Sequence, residues 1–497
     1  MNGWRKHAGL ALMAACFVAA GLLFIPRMGI EVDEALVGSG IYPNSAPWFS
    51  VEIAGHDVPV MLMSHLGAIK ALFYAVLFQL TPPRPMSLRL PTLLVAAGSL
   101  WVFFAFLERA ISRRAAWVGT FLLATDTSYT LMNAIDYGPV TLQLLFKLSA
   151  VTLGLKFHQS GRRSALAGAF LCLGLGLWDK AIFGWVLVGL AVGVMVVFPR
   201  EAWRHVSVRN VGIAAGALLV GAAPLVLVNI LRPLETLRSN AHREQGIVWG
   251  KAITLARSLD GDVFFGHFFA TQAGPHNLTL WATVLAVAAL PWLWQSPARR
   301  PMLFALVSSF VTWVMMAYTA GAGAAAQHVL LLWPFQFVVI SAALDQAGRA
   351  AGVGAAVVGA AGLALTGWYF VDVVRNGPSI RWTDAMDPLQ HTLEDLHAPR
   401  IYVADWGLIE TMQLQSEGRL PIQMADLSSD EAMRALLNQP EAIFVGHAAG
   451  LAIDPHQRAT LEALAQREQF VEEPVTTVYD RNGRPAFDVF RFRKLHL

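Results

Sequence analysis

The chain has 497 residues, 55% hydrophobic and only 14% charged, whereas a soluble domain carries about a quarter charged residues, so the composition is that of a polytopic membrane protein. The formal net charge of +3 is read by position along the chain, because membrane topology sorts Lys and Arg by side; it is not a nucleic-acid footprint. Cys16 and Cys172 both lie in apolar runs, which excludes a disulfide framework or a metal quartet and leaves them as inert packing residues.

The first apolar run, Leu10 to Ile25, together with the residues before it comes close to the ~20 residues a bilayer requires. It reads as an uncleaved first span rather than a signal peptide, since cleavage would separate it from the acidic stretch "MGIEVDEALVGSG" at 28–40. Further runs long enough to cross lie near 90–107, 115–133, 140–156, 164–178, 181–198, 211–230, 277–294, 301–320, 328–344 and 350–371, which makes eleven spans with the first at 8–26. The run "VPVMLMSHLGAIKALFYAVLFQL" at 58–80 is also long enough, but His65, Lys70 and Gln79 interrupt it.

Charge decides its status. With that run omitted, Arg109, Arg113, Arg114, Lys156, Arg162, Arg163, Arg200, Arg204, Arg209, Arg299, Arg300 and Arg349 all fall on the side of Arg5 and Lys6. The short loops of the other side then offer only Lys180, and the positive-inside rule makes the basic side cytoplasmic. Residues 58–80 are therefore expected as helix lying at the outer interface. Glu31, Asp33 and Glu34 then face outward at the mouth of the first span. Two long external segments, 27–89 and 231–276, are rich in aromatic and aliphatic residues and read as a cap pressed on the membrane surface.

Past residue 371 the pattern changes. "RIYVADWG", "LPIQMAD" and "EAIFVGH" are short strand-like runs, separated by helical stretches such as "SSDEAMRALLNQP". "VTTVYDRNGRPAFDVFRFR" is a hairpin signal with Asn482-Gly483 at its turn. The expected organisation is a transmembrane domain over 1–371 and a soluble α/β domain over 372–497, placed outside by the odd number of spans.

Several ionisable or polar groups fall at the outer ends of the spans: Asp33 and Glu34 after the first, Asp126 and Asp136 between the third and fourth, Asp179 and Lys180 between the fifth and sixth, and Gln327 and His328 at the tenth. Arg238, His242 and Arg243 lie in the second long loop. Charges at membrane depth are costly, so several at one face indicate a polar cavity. Taken singly, each also fits an ordinary solvated helix end: Asp126 reads as a cap, Glu31 as a solvated charge, and Asp179 and Lys180 as a pair that neutralises itself. An acid beside cations just outside a bilayer suits transfer of a sugar from a lipid phosphate, where a carboxylate takes the acceptor proton and cations hold the departing phosphate. No P-loop, metal-hydrolase signature or G-x-S-x-G elbow competes.

The acidic pair in "EVDEA", the "SLRLPTLL" that opens the second span, the "NAIDYGPV" loop and the late "HVLLLWPF" resemble the GT-C glycosyltransferases that use dolichyl- or polyprenyl-phosphate sugars. The protein O-mannosyltransferases and the bacterial aminoarabinose transferases acting on lipid A are of this type, and the resemblance covers roughly 8–371. It implies that Asp33 is the catalytic base and that Asp136 supports donor or acceptor placement. Lys180, Arg243 and His328 are the candidate phosphate-binding cations. Glu34 (about 100° round the helix from Asp33), Tyr137 and His242 are assigned to the substrate-contacting set. The expectation is an inverting transferase of the bacterial inner membrane, with a cytoplasmic N-terminus and a periplasmic active site and C-terminal domain. Its partners would be a polyprenyl-phosphate-sugar donor, a glycan, lipid or protein acceptor, and membrane lipids, with no nucleic acid. No metal ligand set is expected; a divalent metal as cofactor is not required by anything in the sequence, and the cofactor is left unknown. A transporter or flippase of lipid-linked sugars is the alternative for the same charged cavity, although no pair of inverted repeats supports it.

Overall fold

The computed structural model describes residues 3–42, 45, 47–240, 242–244, 246, 248–348, 350–439 and 441–495, with the backbone alone at Gly3 and Arg5. Arg349 and the Arg5 side chain, both counted in the charge argument, therefore lie outside the described residues. The chain is a helical bundle that ends in a mixed sheet domain.

Among the described residues five helices are long and apolar enough to cross a membrane: Lys6–Arg27, Pro85–Ala110, Val140–Ser160, Arg299–Ala317 and Ala350–Asn376. Counting two bent pairs, Val208–Gly221 with Ala223–Leu231 (75°) and Ala326–Leu332 with Phe335–Gln346 (42°), gives up to seven. The expected eleven is thus not reached by length and composition, for local reasons. The run at 115–133 is broken where Asp126 caps a new helix, Thr127–Ala134. Arg163–Asp179, Phe183–Val197 and Thr279–Ala288 are helices of only 17, 15 and 10 residues.

The segment 58–80 does not form one interfacial helix. Ala54 and Gly55 take positive φ (53° and 80°), the geometry of a tight hairpin turn. They join strand β1 (Phe49–Ile53) to β2 (His56–Met63), and β2 pairs in turn with β3 (Leu66–Gly67). Only Ile69–Leu77 is helical; it is too short to span and exposes Phe73 and Val76. The Ala54-Gly55 turn lies just before the apolar run, and Pro59 sits within the strand that follows it.

The basic residues share one end of the bundle. Arg300 pairs with Glu201 at 2.6 Å, Arg163 donates to Asn210 at 3.3 Å, and Arg114 donates to the Asp345 carbonyl at 3.3 Å. The acidic residues lie at the other end, beneath the sheet domain. That domain contains β4 (Arg400–Val403), β5 (Ile422–Met424), β6 (Ala442–His447), β7 (Phe470–Tyr479) and β8 (Pro485–Lys494), in the order β5-β4-β6-β8-β7. The first three are parallel; β7 and β8 form the expected antiparallel hairpin, with Gly483 at φ 77° in its turn. The sheet packs its two faces into cores of its own, around Ile401, Val403 and Val489 on one side and Phe444, Leu461 and Phe490 on the other. Cys16 is exposed on the first helix rather than packed.

Candidate functional site

The short helix Val32–Ser39 that follows the first span carries the acidic cluster. Glu31 caps it, accepting the Asp33 N–H at 2.7 Å from an extended backbone, so this carboxylate is a buried cap rather than a solvated charge. Glu34 lies deeper, 1% exposed, and is gripped by the fully buried Arg89 of the "SLRLP" stretch. The guanidinium donates to both Glu34 oxygens (3.0 and 2.9 Å) and to the carbonyls of Ile25, Met28 and Gly29 at 3.2, 2.8 and 2.6 Å. Every face of this arginine is used, and the elbow between span and helix is fixed by it. Glu34 is thereby occupied as a structural partner, inaccessible to a substrate.

Asp33, half-buried on the same helix, has no such clamp. Among the described residues its one side-chain neighbour at hydrogen-bonding range is Gln327, whose Nε2 lies 3.4 Å from Oδ2. Burial pushes Asp33 above the ordinary carboxylate range, against the pull of Lys180, Arg381 and Lys70. It is a carboxylate kept basic and reachable.

Asp136 is arranged differently. It takes φ 45° in the turn after Thr127–Ala134, is 2% exposed, and accepts from Lys70 through both oxygens, at 2.8 and 2.9 Å. Lys70 also donates to the Gly138 carbonyl (3.0 Å), and the Tyr74 hydroxyl lies 3.0 Å from Oδ2. The pair holds the turn that carries Tyr137, whose ring packs against His267, Phe268 and Trp382 with centroids 5.5, 5.4 and 5.4 Å away.

Lys180 caps the C-terminus of Arg163–Asp179 and bridges to Leu66, and the Ala181 N–H donates to the His65 carbonyl at 2.9 Å. Its ammonium makes no ion pair or hydrogen bond among the described residues, yet Asp33, Asp179 and Lys70 all act on it. Burial and Lys180 push His65 down to about 4, which keeps it neutral. Three residues that this ammonium acts on carry buried polar atoms without a partner among the described residues, His65 Nδ1, Asp179 Oδ2 and His328 Nδ1, and Gln327 Oε1, next to His328 in the chain, is another. His328 lies within the electrostatic reach of both Lys180 and His65. Buried polar atoms are nearly always paired, so a group of orphans round a free ammonium marks a place for a polar ligand.

The structure thus gathers Asp33, Tyr137, Lys180 and His328 into one cluster of groups that act on one another, with the Lys70–Asp136 pair beside it. It does not bring in His242 or Arg243, which are exposed on a segment that pairs with residues 318–320 and have no side-chain contact with this group. Lys70, Arg89 and Arg381 join the site although the sequence reading gave them no role, and Gln327, noted there beside His328, joins it as the neighbour of Asp33. Lys70 is visible in the sequence only as an interruption of an apolar run, and Arg381 stands in "SIRWTD" at the edge of the last span. Among the described residues no three His, Cys, Asp or Glu side chains gather as a metal-ligand group. A cavity of about 710 Å³, lined by Leu290, Trp292, Trp294 and neighbours, opens near Arg299 at the basic end, remote from this chemistry.

No family model matches the chain, and no curated protein matches it. Solved structures do. ArnT from Cupriavidus metallidurans bound to undecaprenyl phosphate superposes with a TM-score of 0.65 at 13% identity, over 97% of this chain and 98% of that one. Its apo state gives 0.65 at 14% identity, over 98% of both. The apo oligosaccharyltransferase of Archaeoglobus fulgidus superposes more loosely, at 0.48 and 11% identity, over 93% of this chain and 69% of that one. The chain has an ArnT-like, GT-C-like fold.

Proposed function

We propose that the protein is an inverting glycosyltransferase that moves a monosaccharide from a polyprenyl-phosphate donor to an acceptor hydroxyl at the periplasmic face of a bacterial inner membrane. The observation that carries this reading is the contrast between Asp33 and its neighbours: a half-buried carboxylate and an ammonium that acts on it, each without an ion-pair partner among the described residues. An ArnT-like fold, solved elsewhere with undecaprenyl phosphate, supports a lipid phosphate as the donor's leaving group.

In this reading Asp33 accepts the proton of the acceptor hydroxyl as its oxygen attacks the anomeric carbon. The bond from that carbon to the phosphate oxygen breaks on the opposite face, and its electron pair leaves with the polyprenyl phosphate. Lys180 neutralises the charge that develops there, while the neutral His65, the His328 ring and the Gln327 amide offer hydrogen bonds to the phosphate and the sugar. Glu34–Arg89 and Lys70–Asp136 are saturated pairs that hold the helix and the turn in place. Residues 1–371 carry the chemistry and 372–497 close over it from the periplasm.

The test is release of sugar from undecaprenyl-phosphate donors by protein purified into lipid nanodiscs, with Asp33→Asn as control. Sugar release that depends on Asp33 supports transfer. Movement of an intact donor across the bilayer without bond cleavage would replace this reading with a flippase.

A further inference from the structure

The parallel half of the sheet has a feature that the transferase reading leaves unused. From β4 the chain crosses to β5 on one side, then returns past β4 to β6 on the other. The connections leaving β4 and β6 therefore diverge, and an open α/β sheet takes its ligands in the crevice this creates at the carboxyl ends of the strands. Asp405 follows β4 and His447 ends β6, one on each side of that crevice. Asp405 is buried and accepts four hydrogen bonds: from His447 Nδ1 at 2.6 Å, the Trp406 N–H at 2.7 Å, the Ile453 N–H at 3.1 Å and the Asp454 N–H at 2.9 Å. His447 is 2% exposed, and its Nε2 has no partner among the described residues. This knot ties the 448–454 loop to the sheet and holds Trp406 at the mouth, 39% exposed.

Over the Trp406 ring lies the guanidinium of Arg381, 5.3 Å from the centroid, without an ion pair or hydrogen bond among the described residues. The same arginine acts on Glu31, Asp33, Tyr137 and His267. The crevice abuts the reactive helix directly. Helix Ile409–Gln415 packs on Val32–Ser39, with Thr411 Oγ1 3.4 Å from the Ile30 carbonyl, and a Cβ on Gly38 would stand 2.9 Å from Leu414. Asp33 thus feels two cations that are unpaired among the described residues, Lys180 from the bundle and Arg381 from the segment that leads into the sheet domain. In the donor reading a lipid phosphate occupies Lys180, which leaves Arg381 open.

We propose that the crevice mouth is the acceptor subsite and that the acceptor is a saccharide bearing an anionic group, its ring stacked on Trp406 and its anion held by Arg381. This rests on the donor reading above, which assigns the other cation. An indole face suits the apolar face of a sugar ring, and the planar fork of an arginine suits a carboxylate or a phosphate. Glu410, half-buried at the start of the next helix and acted on by Asp33, borders the same space.

The experiment uses the full chain in nanodiscs and three soluble probes: a neutral disaccharide, the same disaccharide ending in a uronic acid, and its phosphorylated counterpart. Binding is followed by saturation-transfer NMR, and undecaprenyl phosphate binding is measured separately. At least one acidic disaccharide should bind the unmodified protein better than the neutral one. Arg381→Ala should weaken it about tenfold or more, the loss of one bidentate charge-assisted contact, with Arg381→Lys retaining part. Trp406→Ala should weaken all three probes and Trp406→Phe less so, while undecaprenyl phosphate binding stays unchanged in every variant. The conservative pair, with matched unfolding temperatures, separates a lost contact from a lost fold. Equal binding of neutral and acidic probes, absence of binding by all three, or indifference to Arg381 would overturn the proposal. So would loss of undecaprenyl phosphate binding in Arg381→Ala, which would move this arginine to the donor site. Binding of an acidic probe without any binding of undecaprenyl phosphate would instead strike the donor reading and leave the crevice standing.

Discussion

Asp33 and Asp136 are both acids at the head of the bundle, yet their surroundings lead to opposite consequences on conversion to Asn. Asp136 is 2% exposed and takes both of its short bonds from an ammonium that is itself buried. The Asp136→Asn change would leave Lys70 as a buried charge without its counter-ion, with the amide oxygen and the Gly138 carbonyl at 3.0 Å as neutral acceptors, which costs about 3–5 kcal/mol. Asp136→Asn should therefore unfold well below the parent in a detergent melt, and Lys70→Met added to it should recover part of the loss. Asp33 has no ion pair among the described residues to lose. Its carboxyl is raised by burial, so the folded chain binds that proton more tightly than the unfolded chain does. Stability is then present at low pH and declines as pH rises through the folded value, and the amide removes that decline. Asp33→Asn should melt no lower than the parent at neutral pH while turnover falls roughly 10²–10⁴-fold, the range for a general base. The acid limb of kcat/KM should also lie above the ordinary carboxylate range. Near-normal turnover in Asp33→Asn, or a stable but inactive Asp136→Asn, would refute the assignment and make Asp136 the base.

Other outcomes follow from the same geometry. Lys180→Ala should weaken undecaprenyl phosphate binding and Asp179→Ala much less, measured by titration in nanodiscs; equal destabilisation with unchanged affinity would make the two a plain ion pair. Arg89→Met should cost about 3–5 kcal/mol by stranding Glu34, and Glu34→Leu in that background should restore part of it in the melt. A reporter that works only in the periplasm should be active when fused at the C-terminus, and a cytoplasmic one silent; the reverse would invert the topology and remove the case for an outward site.

The class of the fold was legible because it is written in local composition. Apolar helices, strand-rich runs after residue 371 and the Asn482-Gly483 turn each need only their neighbours to be recognised. The site was legible only in part, because its pairs span the chain. Glu34 and Arg89 both stand in recognisable motifs, but nothing in one line of sequence joins residues 55 apart. Lys70 looks like a flaw in an apolar run because its partner, Asp136, lies 66 residues on. His242 and Arg243 were chosen for residue type alone, and the backbone that carries them turns toward residues 318–320. Arg381 had a local signal, an arginine beside a tryptophan just after the last span. Its meaning depended on the sheet domain packing against the short helix Val32–Ser39.

The charge after the first span can now be divided by what each group has as its partner. Glu34–Arg89 and Lys70–Asp136 are closed pairs, each with its hydrogen-bonding capacity filled, and a closed buried pair specifies position more than it adds stability. One sets the angle at which the short helix leaves the bundle; the other sets the turn that faces it. Asp33, Lys180 and Arg381 are left open by the same chain that satisfied their neighbours, although an open charge near a low-dielectric interior is costly. That cost is offset only when a ligand brings the missing partners. Two closed pairs anchored in four separate segments hold three charges that no group among the described residues pairs with directly, and this division is what a site for a charged substrate requires.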